Sequence, residues 1–132
     1  MSFKVDHFAF QVSDLQRSIE FYTTRLGLRF LFQDLDEEHH EAFAFLQLDG
    51  ANLELLQRLD ENNRPIPLEI EEIASSYCPH IALTTENIDT LILDLQSKNI
   101  SVVKGPLEIT GKVRWLYIAD PDNRIIEFVQ WL

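Results

Sequence analysis

Apolar and polar residues alternate along residues 3–12, placing His7, Ala9 and Gln11 on one face of a predicted strand and Phe8, Phe10 and Val12 on the other. The period then lengthens. Leu15, Ile19, Tyr22 and Leu26 recur at helical spacing, with Ser13 as the expected N-cap, Gln16 completing a capping box, and Gly27 just past the last apolar position. Residues 28–35 and 42–48 predict two further strands, separated by the charged loop Asp36-Glu37-Glu38-His39-His40-Glu41. Asp49-Gly50 is a tight-turn signal leading into a fourth strand that carries Glu54. Residues 58–67 read as a polar connector with two prolines, and Leu68, Ile70 and Ile73 suggest a short helix over residues 68–74. The pattern then restarts. Residues 79–84 predict a strand, Thr85 an N-cap, and Ile88, Leu91, Ile92 and Leu95 an amphipathic helix ending near Asn99. Residues 100–107, 113–119 and 124–131 supply three more strands, with Asp120-Pro121-Asp122-Asn123 as the turn before the last.

A single offset lays the second half of the chain on the first: His80-Ile81-Ala82-Leu83 falls on His7-Phe8-Ala9-Phe10, and Glu127 falls on Glu54. A period this long, used twice, is not that of a solenoid. It predicts an α+β fold of two β-α-β-β-β modules in pseudo-twofold arrangement, with curved sheets enclosing a metal cleft. The expected organisation is a single domain, with module one at 1–57, a linker at 58–78 and module two at 79–132.

With 132 residues and 45% of them hydrophobic, the chain can bury one shared core. Its one cysteine, Cys78, has no internal bridging partner, so a reducing, cytoplasmic setting and a buried inert thiol are expected. No secretory leader is expected, and no stretch approaches the roughly 20 apolar residues of a membrane span. A net charge of -11 repels phosphate backbones and anionic lipid, which argues against nucleic acid or membrane partners and leaves small molecules. An anionic substrate would need a local cation from Arg58, Arg64, Lys104, Lys112 or Arg114.

Each half carries one His and one Glu at the same separation: His7 with Glu54, and His80 with Glu127. A lone strand histidine is more often structural, and a lone strand glutamate usually faces water. Neither expectation transfers to a set of four at equivalent places. Glu127 shares its face with Ile125 and Val129, and Glu54 with Asn52 and Leu56, settings in which a carboxylate is costly without a partner. Two imidazoles and two carboxylates suit one divalent ion, Ni²⁺, Co²⁺ or Zn²⁺, with Mn²⁺ and Fe²⁺ as further choices. His39 and His40 belong to an exposed polar loop. Trp115 and Trp131 fill core and edge positions, or Trp115 lines a cleft together with Arg114. There is no Gly-rich phosphate loop, G-x-S-x-G elbow or H-E-x-x-H helix.

Four stretches carry a resemblance: residues 5–15, residues 18–28 with Phe21-Tyr22 and Leu26-Gly27-Leu28, residues 79–83, and residues 119–127 with Asp120-Pro121-Asp122-Asn123. Together they resemble the vicinal oxygen chelate superfamily, whose members include glyoxalase I, methylmalonyl-CoA epimerase, extradiol dioxygenases and drug-resistance proteins. The resemblance implies that His7, Glu54, His80 and Glu127 are the four metal ligands of a glyoxalase I-like lyase or isomerase. Its reaction would be proton transfer through a metal-bound enediolate, on a substrate such as a thiol hemithioacetal, with Glu127, and second Glu54, as the base. Glyoxalase I commonly has Arg four residues after the first ligand His, where this chain has Gln11, and Asn four residues after the first ligand Glu, where it has Arg58. Gln11, Arg58, Arg114 and Trp115 are the candidate substrate contacts. Short loops look more like the Ni²⁺ or Co²⁺ enzymes of bacteria, and relatives of this size commonly form homodimers. The competing readings are a methylmalonyl-CoA epimerase-like isomerase, a metal-free drug-binding module and an iron dioxygenase.

Overall fold

A computed structural model describes residues 1–132. The chain divides into two compact units, Met1–Ile70 and Glu71–Leu132. In the first, β1 (His7–Gln11) leads into α1 (Leu15–Glu20), which continues as a π-helical turn over Phe21–Arg25. β2 (Arg29–Asp36), β3 (Glu41–Gln47) and β4 (Asn52–Arg58) follow. The strands form one open sheet in the order β1-β4-β3-β2, with β1 parallel to β4 and the other pairs antiparallel. The pairing of β1 with β4 brings the ends of the module's sequence side by side, and with them His7 and Glu54.

Strand alternation sets the two faces of this sheet. Ala44, Leu46, Leu53 and Leu55 are at most 1% exposed and form the core with Val12, Leu15, Phe21 and Tyr22 on the side where α1 packs against β3 and β4. Burying a side chain such as Leu53 contributes about 1.5–3 kcal/mol. Phe43, Phe45, Glu54 and Leu56 alternate with these residues and occupy the other, half-buried face.

The second unit repeats the plan. β5 (Ile81–Thr84), α2 (Ile88–Ser97), β6 (Val102–Ile109), β7 (Val113–Ala119) and β8 (Ile125–Trp131) build a sheet in the order β5-β8-β7-β6, with β5 parallel to β8. Ile88 and Leu95 of α2 are buried, as are Leu116, Ile118 and Ile126 of the sheet. Both units thus have the expected β-α-β-β-β order. No helix is long and apolar enough to cross a membrane.

Several local expectations are corrected. The N-caps are Asp14 and Asn87, not Ser13 and Thr85; their side chains accept from the backbone N–H of Arg17 and Thr90 at 3.1 and 3.0 Å. Both sit in extended backbone three residues before the amide they cap, as the geometry of an N-cap requires. Residues 68–74 are not helical. A single turn there lacks the length to repay nucleation, and Glu69, Glu71 and Glu72 crowd like charge into it. Gly27 does end the first helical segment, with φ of +83°. The β7–β8 connection is one residue longer than the β3–β4 connection, so Glu54 faces Phe45 across the sheet whereas Glu127 faces Tyr117.

Candidate functional site

In the first unit Ala9 of β1 lies directly beside Glu54 of β4, and His7 stands two residues earlier on the same strand face. Ala9 offers only a methyl group, so the imidazole can lean towards the carboxylate. His7 Nε2 lies 3.4 Å from Glu54 Oε1. In the second unit Ala82 lies beside Glu127, and His80 Nε2 lies 3.0 Å from Glu127 Oε2. The same three residue types, in the same register, make the same pair twice.

The other ring nitrogen is engaged in both cases. His7 Nδ1–H donates to Asp6 Oδ2 at 2.6 Å, and His80 Nδ1–H donates to the carbonyl oxygen of Cys78 at 2.7 Å. These partners are acceptors, which favours a hydrogen on Nδ1, and each Nε2 is turned towards its glutamate. An aromatic ring closes each pair from the neighbouring strand. Phe45 meets the His7 ring edge-on at 5.3 Å, and Tyr117 meets the His80 ring edge-on at 5.8 Å.

Electrostatics follow from these contacts. The hydrogen bond to Asp6 raises the His7 pKa above its ordinary 6.5, with desolvation opposing and the charge of Glu54 adding. The Cys78 carbonyl raises that of His80, with desolvation opposing and Glu127 adding. Desolvation raises the Glu54 pKa, and the charge of His7 opposes it. Both histidines are therefore held by contacts that favour the protonated ring.

The donor set fits a divalent metal. Two ligand atoms about 2.1 Å from a common ion, at octahedral to tetrahedral angles, lie about 3.0–3.4 Å apart, which matches the two separations of 3.0 and 3.4 Å. An outer-shell acceptor on each Nδ1–H is the usual companion of a ligating histidine. In neither unit do three or more His, Cys, Asp or Glu side chains gather as a group that could hold a metal ion; each unit holds one His–Glu pair.

Gln11 is an exposed residue at the end of β1, and Arg58 an exposed one at the end of β4. Arg114 forms a two-pronged ion pair with Asp89 of α2, at 3.0 and 3.1 Å, on the helix side of the sheet. Trp115 is half-buried and alternates to the face of Tyr117 and Glu127. Cys78 is exposed, contrary to the expectation of a buried thiol, because it lies in the irregular segment that precedes β5. His39 is exposed and pairs with Asp36 at 2.9 Å, while His40 pairs with Asn63 at 2.7 Å. A cavity of about 380 Å³ in the second unit is lined by Ile73, Ser76, Tyr77, Lys104, Tyr117 and Ile125. Tyr117 thus borders both this cavity and His80.

Sequence reasoning did not single out Asp6, Phe45 or Tyr117. Asp6 is readable as a potential acceptor beside His7. The two aromatics become visible only when turn lengths set the cross-strand register.

The model of the Glyoxalase/Bleomycin resistance protein/Dioxygenase superfamily matches residues 4–128. Lactoylglutathione lyase of Schizosaccharomyces pombe is 30% identical over 97% of this chain, which spans only 47% of that enzyme's length. Human mitochondrial methylmalonyl-CoA epimerase is 27% identical over 96% of this chain and 73% of its own. Among solved structures, the trypanothione-dependent glyoxalase I of Leishmania major is 25% identical, with a TM-score of 0.73 over 98% of this chain and 87% of that one. With the family model covering nearly the whole sequence, the chain belongs to the glyoxalase/bleomycin resistance/dioxygenase, or vicinal oxygen chelate, superfamily.

Proposed function

We propose that this protein is a metal-dependent lyase or isomerase of the glyoxalase I type, in which each His–Glu pair donates two ligands to a divalent ion and two such pairs complete its sphere. The ligands are His7, Glu54, His80 and Glu127. The observation that carries the reading is the duplicated pair itself, with Nε2 facing a carboxylate oxygen at 3.4 Å in one module and 3.0 Å in the other. Ni²⁺, Co²⁺ or Zn²⁺ suits this mixed nitrogen and oxygen set. When bound, such an ion supplies Lewis-acid stabilisation of negative charge developing on a substrate carbonyl oxygen.

The residues of the chain do the rest. Glu127 takes the proton from the hydroxyl-bearing carbon of an α-hydroxycarbonyl adduct and returns it to the adjacent carbon, while the hydroxyl proton passes to the former carbonyl oxygen, so that the product is an isomer of the substrate. Its side chain is only 19% exposed, and its neighbours along the strand face, Ile125 and Val129, restrict competing exchange with water. Glu54 is the second candidate for this role. A thiol hemithioacetal is the favoured substrate class. Gln11 and Arg58 depart from the usual glutathione contacts, which favours a thiol other than glutathione, in keeping with the trypanothione dependence of the Leishmania relative. Lys104, in the cavity beside Tyr117, offers a cation to an anionic substrate group. The human epimerase relative supports a second reading, in which the proton returns to the same carbon of an acyl-CoA. A homodimer in the cytoplasm is the expected form.

Metal content of the purified protein tests the proposal, together with calorimetric titration of the stripped protein with Ni²⁺, Co²⁺, Zn²⁺ and Mn²⁺. The expected result is tight binding of one ion per two His–Glu pairs, lost in Glu54→Ala. Absence of binding by all four ions overturns the enzyme reading and leaves a binding module.

A further inference from the structure

The two histidines are held by different kinds of partner. The offset that carries His7 onto His80 also carries Asp6 onto Pro79, which has no side-chain acceptor. His80 is instead held by main chain, through the Cys78 carbonyl at 2.7 Å. His7 is held by a side chain, the Asp6 carboxylate, at 2.6 Å. That carboxylate is 86% exposed, so it is not needed to fill the core. Its one evident contact of consequence is with His7.

An imidazole has two neutral tautomers, and only one of them presents a lone pair at Nε2. We propose that Asp6 is a positioning residue that holds His7 in its Nδ1–H tautomer, with Nε2 turned towards Glu54 as a ligand. The proposal rests on the metal-centre reading above for its functional meaning, though not for its geometry. A carboxylate on the outer nitrogen also makes a ligating imidazole a stronger donor than a carbonyl does, because it stabilises positive charge on the ring. The first module's pair is therefore adjustable by a single exchangeable side chain. That of the second module is fixed by its backbone.

The test uses ¹⁵N-labelled, metal-free protein and long-range ¹H–¹⁵N NMR at a pH where the imidazoles are neutral, comparing wild type, Asp6→Ala and Asp6→Asn. His7 should be the Nδ1–H form in the wild type, become a tautomer mixture in Asp6→Ala, and recover the Nδ1–H form in Asp6→Asn, which keeps an acceptor oxygen. His80 should not change in any of the three. In parallel, Ni²⁺ affinity should fall about 10–100-fold in Asp6→Ala and largely recover in Asp6→Asn. An unchanged His7 tautomer in Asp6→Ala, or equal Ni²⁺ affinity in wild type and Asp6→Ala, overturns the role of Asp6 while leaving the metal reading intact. If the wild type binds no Ni²⁺, the metal reading loses its support and the tautomer comparison alone decides the role of Asp6.

Discussion

Gln130 Oε1 accepts a hydrogen bond from the backbone N–H of Ile88 at 2.9 Å, fastening the strand that carries Glu127 to the first turn of α2. Gln57 does the same in the first module, accepting from Leu15 N–H at 3.3 Å and donating to the Ser13 carbonyl at 3.0 Å. The first amides of a helix have no partner within it, so each glutamine satisfies one and docks helix to sheet. Gln130→Ala should lower stability by about 1–2 kcal/mol, read as a lower urea midpoint with unchanged slope. Gln57→Ala should cost at least as much, since two bonds are lost. Unchanged midpoints would remove these contacts from the stability account.

Glu127→Gln preserves shape and removes the charge that, in the proposed mechanism, accepts the proton. Turnover of a hemithioacetal or acyl-CoA substrate should fall about 10²–10⁴-fold, with the circular dichroism spectrum unchanged. Full activity in this variant would pass the role to Glu54.

The pH dependence of the metal-free protein has a definite sign. His7 and His80 bind protons more tightly when folded than their ordinary pKa of 6.5 implies. Their stabilisation is complete below about pH 6.5 and is lost as pH rises through the raised values. Urea midpoints in chelator should accordingly fall as pH rises above about 6.5. In the proposed metal centre Ni²⁺ displaces the same protons, so its affinity should rise as pH rises. Opposite trends in the two titrations are expected, and a shared direction would contradict the assignment.

Ser18 is fully buried in α1, and its hydroxyl oxygen has no hydrogen-bond partner. Ser18→Ala removes an unsatisfied polar atom without opening a cavity of consequence. Stability should be equal to wild type or greater by about 1 kcal/mol, checked by thermal unfolding. A clear loss would mean that the hydroxyl finds a partner in solution.

Gly105 stands at φ of +104°, and a Cβ there would lie 3.0 Å from the Trp115 carbonyl oxygen and 3.1 Å from Leu116 Cα. The nearest obstacles belong to the backbone of β7, which cannot swing aside. Gly105→Ala should destabilise the second module by about 1–3 kcal/mol, seen as a lowered unfolding midpoint.

Much of this molecule is legible along the chain, but unevenly. The helix caps show where reading failed. Ser13 and Thr85 satisfy a residue-type rule, yet the offset between the modules maps Asp14 onto Asn87, the pair that caps. The predicted helix over residues 68–74 fails because apolar spacing in so short a run says nothing about nucleation. A thiol with no basic neighbour is expected to be buried, whereas the place of Cys78 in an irregular segment leaves it exposed.

The sequence by itself determined the two modules, the order of their elements and the identity of the two His–Glu pairs, because periodicity and a repeat offset are properties of one dimension. Tertiary structure decided which atoms meet. The pairing of β1 with β4 and of β5 with β8 sets Ala9 and Ala82 beside the glutamates and brings each Nε2 near its carboxylate, while the pairing of β3 with β4 and of β7 with β8 chooses Phe45 and Tyr117 as the covering rings. The His–Glu contacts arise from hydrogen-bond register between the first and last strands of each module, which no local window of sequence contains.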